Sequence, residues 1–269
     1  MELPVINMEL AERIQQVEID YLTSRIRSIG ERLGNPEGVE IHRFGKTTAF
    51  YIRTMPWGLF NSVKGLSDDD ADLLDDIILY YQTRNRAFQF DVDPIHCSPK
   101  LFKRLAERGF YQNGFHSVLY GLPADKTPIH PSYIHIIEVK NESEFDHYAE
   151  IHCLGSGMSL ADKHHFVNNN KGILNREGWK IFLAYLDGTP AGVAVMHISG
   201  NIASCTLAAT HPNYRNRGLQ TALLQHRMHE AHKADCTLVA AQASFGSTSQ
   251  NNMERAGMQL AWTRSIWVK

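Results

Sequence analysis

The sequence predicts an α/β protein made of two lobes, each a twisted mixed β-sheet flanked by helices. In both halves of the chain, short apolar runs typical of strands alternate with longer runs of helical periodicity. The segments Leu101–Phe110 and Gln250–Met258 also resemble each other, since each is a helix that ends in glycine and continues with an apolar residue. Such internal similarity indicates a duplicated unit. We therefore predict one lobe over residues 1–121, a linker over 122–132 and a second domain over 133–269.

In the first lobe, the apolar face of Glu9–Arg32 predicts a long helix that ends near Gly34 and Pro36. Ser67 is positioned to cap a second helix, and Asp68–Asp72 follow it directly. The other predicted elements are the strands Val39–Phe44, Thr47–Thr54, Gly58–Val63, Ala87–Val92 and Phe110–Tyr120 and the helix Pro99–Arg108.

In the second domain, the pattern predicts a strand, two helices, three strands, a helix, a strand, a helix and a closing strand. A hairpin turn at Asp187–Pro190 and a glycine stop at Gly257 fix two of the boundaries. The predicted segments are Ile134–Val139, Glu144–Cys153, Asp162–Leu174, Lys180–Leu186, Ala191–His197, Ala203–Thr210, a helix from Leu219, Cys236–Ala241, Ser247–Ala256 and Gln259–Val268.

Composition narrows the function classes. The 269 residues carry a formal charge of −2 without a run of lysine or arginine, which argues against a nucleic-acid partner. No apolar segment approaches the roughly 20 residues that a membrane-spanning helix needs. The four cysteines form no CxxC pair and the first residues lack the pattern of a signal peptide. We therefore expect reduced thiols, a cytoplasmic location and no membrane partner, and the oligomeric state stays open.

The segment from Thr210 to Leu224 is the most informative part of the chain. It is predicted to be the end of a strand, a turn and a loop that opens into a helix. A helix start has unpaired N–H groups and a partial positive charge, so it binds phosphate readily. Gly218 allows the backbone to approach a bulky anion, and Arg215 and Arg217 add positive charge. These residues predict a site for a phosphorylated ligand.

The order of elements in residues 133–269 resembles that of the GNAT acyltransferase superfamily. The family signature, Gln/Arg-x-x-Gly-x-Gly/Ala, stands here as Arg215–Gln220, with Gln220 in place of the usual small residue. Ala208–Pro212 resembles the end of the family's fourth strand, and Ser247–Met258 is similar to a common form of its fourth helix. Several motifs in the expected order are a stronger signal than one hexapeptide.

This resemblance implies that acetyl-CoA is the acyl donor, with no metal required. Main-chain groups of Ala208 and Thr210 would bond the pantetheine arm, and the signature loop would hold the diphosphate. The full set of donor-binding residues implied is Ala208, Ala209, Thr210, Arg215, Asn216, Arg217, Gly218, Leu219, Gln220, Thr221 and Asn252. At the corresponding position, the first lobe carries the carboxylates of Asp68–Asp72, which would repel a diphosphate. We therefore expect a degenerate GNAT-like lobe that serves packing and the wall of the acceptor pocket.

The resemblance leaves the catalytic residues open. Ser204 stands where many members have a glutamate base, and Met253 stands where many have a tyrosine acid. Ser204, His211 and Asn252 are the weak candidates, and direct attack on the thioester without a dedicated base is the favoured mechanism. Other polar groups that could take part are His197, Cys205 and Ser249. The triplet His226, His229 and His232 does not predict a metal site, because at a spacing of three its outer members drift apart around a helix.

Three functions are consistent with the sequence. The first is an acetyl-CoA-dependent N-acetyltransferase acting on a primary amine of a small molecule or peptide. The second is a CoA-binding regulatory module without turnover, favoured by the missing glutamate and tyrosine. The third is aminoacyl transfer from charged tRNA, as in tandem-GNAT enzymes of the Fem type, against which the neutral charge balance counts. The acceptor is expected to contact Leu154–Arg176, whose composition does not identify it.

Overall fold

The computed structural model describes residues 2–269 and contains two compact units. The amino-terminal lobe comprises Val5–Val118, Ala243–Phe245 and Leu260–Lys269. The carboxyl-terminal lobe comprises Leu119–Gln242 and Gly246–Gln259, with residues 2–4. Each lobe has a mixed β-sheet flanked by helices, which confirms the predicted fold class.

The helices and strands follow one another in an order close to that predicted. They are α1 (Met8–Gly30), β1 (Val39–Phe44), β2 (Thr47–Ile52), β3 (Ser62–Lys64), α2 (Leu74–Gln82), β4 (Gln89–Val92), α3 (Pro99–Glu107), β5 (Tyr111–Gly121), β6 (Ile134–Glu138), α4 (Glu142–Gly155), α5 (Lys163–Asn170), β7 (Trp179–Leu186), β8 (Thr189–Ser199), β9 (Ile202–Thr210), α6 (Leu219–Lys233), β10 (Leu238–Ser244), α7 (Thr248–Arg255) and β11 (Gln259–Val268). No helix within residues 2–269 is both long and apolar enough to cross a bilayer.

The sheet of the amino-terminal lobe has the strand order β1-β2-β3-β4-β11-β5. β3 and β4 are parallel and are joined through α2, whereas β11 is antiparallel to β4, with Ser265 opposite Val92. The core of this lobe is rich in aromatic and branched residues, including the fully buried Phe50, Tyr81 and Phe90. The Tyr81 hydroxyl donates to the Phe50 carbonyl at 2.7 Å, so the one polar atom of that ring is satisfied.

The acidic run of this lobe differs from the helix start capped by Ser67 that the sequence predicts. Residues Asp68–Leu73 form a 3₁₀ helix before α2, and Ser67 makes no capping hydrogen bond. Asp70 is 5% exposed and accepts hydrogen bonds from the Lys46 and Thr47 amides at 2.9 and 2.8 Å. The burial of Asp70 could not be predicted locally, because its partners come from the distant β1–β2 turn. The Asp70 carboxylate therefore joins the acidic run to the β1–β2 turn.

A network of five buried charges lies in the amino-terminal lobe. The Arg264 guanidinium donates to both Glu18 oxygens at 2.6 and 2.7 Å and to Asp93 Oδ1 at 2.8 Å. Lys64 Nζ donates to Glu18 at 2.8 Å and to Asp91 at 2.5 Å. Ion pairs that are removed from water need such complete hydrogen bonding to offset their desolvation. The network joins α1, β3, β4 and β11.

We expect this network to make the protein less stable in acid. Burial alone would raise the pKa of Glu18, but the charges and hydrogen bonds of Arg264 and Lys64 outweigh it and hold that pKa well below its ordinary value of 4.5. The stabilisation is therefore present above pH 4.5 and is lost as pH falls below it. Urea unfolding between pH 7 and pH 3 measures the loss. A Glu18→Gln variant whose stability falls as steeply as that of the wild type over this range would contradict the assignment.

The sheet of the carboxyl-terminal lobe has the strand order β10-β9-β8-β7-β6. β6 to β9 form an antiparallel meander, and β10 is parallel to β9. Parallel neighbours need a crossover, which α6 supplies. Its apolar side, with Leu223 and Ala231, packs on Phe182 and Met196 of the sheet. The loop before α6 therefore lies at the carboxyl end of β9.

β9 is irregular at this end. Its register with β8 shifts between the pairs Val195–Thr206 and Val193–Ala209, and Leu207 has a φ of +47°. Two strand residues thus oppose one, which is a β-bulge. On the other side, β10 pairs with β9 only from Ile202 to Cys205. Beyond Cys205, the edge of β9 that faces away from β8 is not paired with β10, and we call Thr206–Thr210 the open edge.

Two features of the organisation differ from the prediction. Residues 260–269, predicted to belong to the second domain, lie in the amino-terminal lobe because β11 pairs with β4 there. The predicted strand Gly58–Val63 is a 3₁₀ turn at Gly58–Phe60 followed by the short β3. Asn61 ends that turn, and its amide nitrogen donates to the Met55 and Trp57 carbonyls, which hold the chain in a bend.

Candidate functional site

A groove of about 720 Å³ lies at the open edge of β9 in the carboxyl-terminal lobe. Its walls come from β9, the loop before α6, the first turns of α6, α7 and the last residue of α4. The residues that line it are Gly155, Ala208, Ala209, Thr210, Tyr214, Arg215, Asn216, Gly218, Leu219, Gln220, Thr221, Leu224, Arg227, Thr248, Ser249, Asn252, Met253 and Arg255. This set includes three arginines and neither aspartate nor glutamate.

The loop that enters α6 has the backbone geometry of an anion site. Asn216 and Gly218 both have left-handed conformations, with φ values of +61° and +80°. Gly218 is the N-cap of α6 and has no side chain to accept hydrogen bonds, so the amides of Leu219, Gln220 and Thr221 donate to no capping group. Unpaired amides at the positive end of a helix dipole attract a phosphate or diphosphate.

Two side chains of the signature contact protein groups instead of pointing into open space. Arg215 Nη2 donates to the Gly155 carbonyl at 2.9 Å, which ties the loop to the end of α4. Gln220 Nε2 donates to Thr210 Oγ1 at 2.8 Å. The long side chain at position 220 is thus directed at β9.

Gly155 brings α4 unusually close to the open edge. A Cβ added at this position would lie 2.8 Å from Ala209 Cβ and 2.9 and 3.0 Å from the Thr210 carbonyl oxygen and amide nitrogen. Real Cβ atoms do not approach backbone that closely, so glycine is needed here.

Replacing Gly155 by alanine should therefore displace β9 or α4 and reshape the groove. We expect a loss of about 1–3 kcal/mol in the free energy of unfolding, because the clashing atoms belong to the backbone of a central strand. Gly114→Ala is the control, since no heavy atom lies within 4 Å of its added methyl group, and it should change stability by less than about 0.5 kcal/mol. Equal chemical-denaturation midpoints for the two variants would contradict the close approach.

The structure brings most of the predicted donor-binding residues into one groove. Ten of them line it, and only Arg217 does not; the ten are Ala208, Ala209, Thr210, Arg215, Asn216, Gly218, Leu219, Gln220, Thr221 and Asn252. Arg217 is exposed to solvent. Asn252 Oδ1 accepts a hydrogen bond from Arg255 Nη1 at 3.2 Å, a contact within α7.

The weak catalytic candidates Ser204 and His211 do not line the groove. Ser204 is fully buried on β9, opposite His197 of β8. The His211 ring accepts a hydrogen bond from the Asn213 amide at 3.2 Å, so it shapes the turn that follows β9. Burial raises the pKa of the Cys205 thiol, which makes it a poor nucleophile.

The other polar residues singled out in the sequence have separate surroundings. Ser249 and Met253 both line the groove on α7, whereas Ser247 provides the N-cap of that helix. In the histidine triplet, His226 packs edge-on against the Phe182 ring, and one ring nitrogen of His229 lies 3.1 Å from the Ala124 carbonyl.

Arg227 is one of the groove residues that sequence reasoning missed. It lies on the apolar side of α6 between Leu223 and Ala231 and is only 3% exposed. Its Nε donates to the Leu223 carbonyl at 3.2 Å, and its Nη1 donates to the Val195 and Thr206 carbonyls at 3.2 and 3.5 Å. An arginine inside an apolar helical stripe was the signal that could have identified it.

Comparisons with known proteins agree with this geometry. Residues 145–258 match the model of the acetyltransferase (GNAT) family. Among solved structures, a GCN5-related N-acetyltransferase from Kribbella flavida is similar with a TM-score of 0.64 and 13% identity, over 91% of this chain and 95% of that one. A tandem GNAT protein from the clavulanic acid biosynthesis pathway is similar with a TM-score of 0.58 and 15% identity, over 74% of this chain and 68% of that one.

A functionally unknown conserved protein from Staphylococcus epidermidis ATCC 12228 has a TM-score of 0.61 at 10% identity, over 87% of this chain and 94% of that one. No curated protein sequence matches the chain. At these identities, the solved structures establish the fold, and the family model establishes the domain. Residues 145–258 are an acetyltransferase domain of the GNAT family, in a chain whose fold is shared with GNAT proteins across most of its length.

Proposed function

We propose that the protein is an acetyl-CoA-dependent N-acetyltransferase that acts on a primary amine of a small molecule or peptide. The observation that carries this proposal is the uncapped start of α6, which opens with Asn216 and Gly218 into a groove lined by arginines and free of carboxylates. A diphosphate fits the charge and the donors at this helix start, and the GNAT domain makes CoA its expected carrier. The cytoplasmic location predicted from the sequence belongs to the same proposal.

The residues of the groove form two groups, one that binds the diphosphate and one that binds the extended arm of the donor. The amides from Asn216 to Thr221 hold the diphosphate, and Arg215 fixes the loop through its bond to the Gly155 carbonyl. The open edge of β9 offers main-chain groups of Ala208 and Thr210 to an extended arm, which binds there as an added strand would. The acyl group then lies beside the bulge at Leu207, and a main-chain amide of the bulge binds the carbonyl oxygen.

The chemistry is direct attack of a neutral amine on the thioester carbonyl carbon. None of the groove residues is aspartate, glutamate, histidine, lysine or cysteine, so water takes the proton from the amine. Holding donor and acceptor together in a reactive geometry supplies much of the rate enhancement in such a reaction. The bulge amide stabilises the oxyanion that develops.

Calorimetric titration with acetyl-CoA tests the proposal. We expect saturable binding in the range of about 1 μM to 1 mM that is typical of enzyme substrates. Acetyl transfer is then measured with a library of primary amines, using release of free CoA thiol as the readout. An absence of binding at millimolar acetyl-CoA by correctly folded protein would refute the proposal.

A CoA-binding module without turnover is the second candidate. It is favoured by the lack of an ionisable base or acid at Ser204 and Met253 and by the absence of carboxylate and histidine side chains from the groove. It predicts acetyl-CoA binding without release of CoA thiol in the presence of any amine. Transfer to a single natural amine would exclude it.

A further inference from the structure

The structure carries an unusual charge inside the donor groove. Arg227 is 3% exposed, yet no carboxylate of the described residues lies within ion-pair distance of its guanidinium. Two other buried cations behave differently, since Lys64 and Arg264 each bond two carboxylates. The nearest acid on the same helix, Glu230, is engaged with Lys180 and Lys233. A buried charge without a counterion is costly and normally acquires one.

The hydrogen bonds of Arg227 leave part of its guanidinium available. Its partners are three neutral carbonyls, which Nε and Nη1 reach. Nη2 donates no hydrogen bond within residues 2–269, and Arg227 is one of the residues that line the groove. The guanidinium is therefore held in place on one side while its other side faces the space that the donor fills.

Arg227 also lies at the chemically relevant point of the groove. Its Nη1 bonds the carbonyls of Val195 and Thr206, and these two residues form the last regular β8–β9 pair before the register shift. The guanidinium is thus fixed to the bulge itself. An arm that starts at the diphosphate loop and follows the open edge of β9 reaches this bulge with its thioester end.

We propose that Arg227 stabilises the CoA thiolate that leaves during acyl transfer; this inference rests on the proposed function. The amine nitrogen forms a bond to the carbonyl carbon, the carbon–sulfur bond breaks, and its electron pair leaves on sulfur as the thiolate. The amine proton passes to water. Apart from the Tyr214 phenol in the diphosphate loop, the groove contains no acid with a proton to give to sulfur. A fixed cation can stabilise the leaving thiolate by electrostatic attraction instead of by proton transfer.

Several charged or titratable groups surround this position. Cys205 of β9 is close enough for Arg227 to oppose the rise in its thiol pKa that burial causes. His226 and Glu230 lie on α6 itself, and Arg215 and Arg255 lie elsewhere in the groove. The test must therefore measure the CoA sulfur directly and compare Arg227 with another groove arginine.

The experiment compares CoA with desulfo-CoA, which lacks the sulfur. In the wild type, the thiol of bound CoA should ionise at least one pH unit below that of free CoA, followed as thiolate absorbance in a difference titration against the desulfo-CoA complex. Calorimetry should show CoA gaining about tenfold in affinity over desulfo-CoA between pH 6 and pH 9.

The variants locate the effect. Arg227→Met should abolish both the shifted ionisation and the pH-dependent gain, and Arg227→Lys should retain part of each. Arg255→Met, which removes an exposed cation of the same groove, should retain both in full. Desulfo-CoA affinity and thermal melting report whether each variant is folded.

The outcomes separate the two proposals. Ionisation of wild-type-bound CoA at the pH of free CoA overturns the role of Arg227, whereas desulfo-CoA binding would still support the donor site. Failure of the wild type to bind either ligand overturns the proposed function itself. If Arg227→Met does not fold, the wild-type titration and the Arg227→Lys variant decide the question.

Discussion

Arg264→Met should lower the free energy of unfolding by about 3–5 kcal/mol, a larger loss of stability than Gly155→Ala should cause. The substitution keeps most of the side-chain volume but removes four hydrogen bonds to Glu18 and Asp93. Both carboxylates would remain buried, and Lys64 alone cannot neutralise them together with Asp91. Urea denaturation at neutral pH measures the loss.

An exposed ion pair of the same lobe provides the control. Arg108 donates to both oxygens of Asp75 at 2.7 Å, with geometry as good as that of the buried pair. Because Asp75 is largely exposed, Arg108→Met should cost no more than about 1 kcal/mol. A similar loss for the two variants would show that the network contributes no more than a surface pair.

Gly218→Asp should weaken acetyl-CoA binding by about 100-fold, or roughly 2.7 kcal/mol. Aspartate at an N-cap accepts hydrogen bonds from the first helical amides, so it would occupy the donors intended for the diphosphate and repel its charge. The position also has a φ of +80°, which disfavours a residue with a Cβ. The change would give this helix start an acidic residue, as Asp68–Asp70 give the 3₁₀ helix of the amino-terminal lobe.

The measurement is isothermal titration calorimetry, with Gly188→Asp as the matched control. Gly188 has a φ of +78° in the β7–β8 hairpin, has open space around it and lies outside the groove. The Gly188→Asp variant introduces the same charge and the same backbone strain, but outside the groove. Its affinity for acetyl-CoA should therefore stay within about twofold of that of the wild type. Equal affinity of Gly218→Asp and Gly188→Asp would contradict the diphosphate site.

The local sequence predicted where strands begin and end better than it predicted which strands pair with each other. The bounds of β1 and β11 agree with the prediction, because alternating apolar residues and flanking turns are local signals. The membership of β11 in the amino-terminal lobe depends on its pairing with β4, some 170 residues earlier, and no local pattern encodes that choice.

In the groove, too, features with a local sequence signal were predictable and features set by tertiary structure were not. The signature loop was recognisable because glycine and arginine at a helix start have a direct physical meaning. The position of Arg227 depends on the bulge in β9 and on where β10 stops pairing, both of which are tertiary features. His197 lies near the end of β8, as predicted, but its burial against the tilted Trp179 ring of β7 depends on the pairing of the two strands.

The position of β11 has a consequence for how the chain folds. In the amino-terminal sheet, β11 lies between β4 and β5, yet the whole carboxyl-terminal lobe separates it from them in sequence. On the ribosome, β4 and β5 emerge long before the strand that belongs between them, and their edges wait unpaired. Contacts of such sequence separation slow folding and expose strand edges to other chains. The amino-terminal lobe is thus synthesised first but completes its sheet last. Its strand edges stay open to aggregation for as long as the carboxyl-terminal lobe is being synthesised.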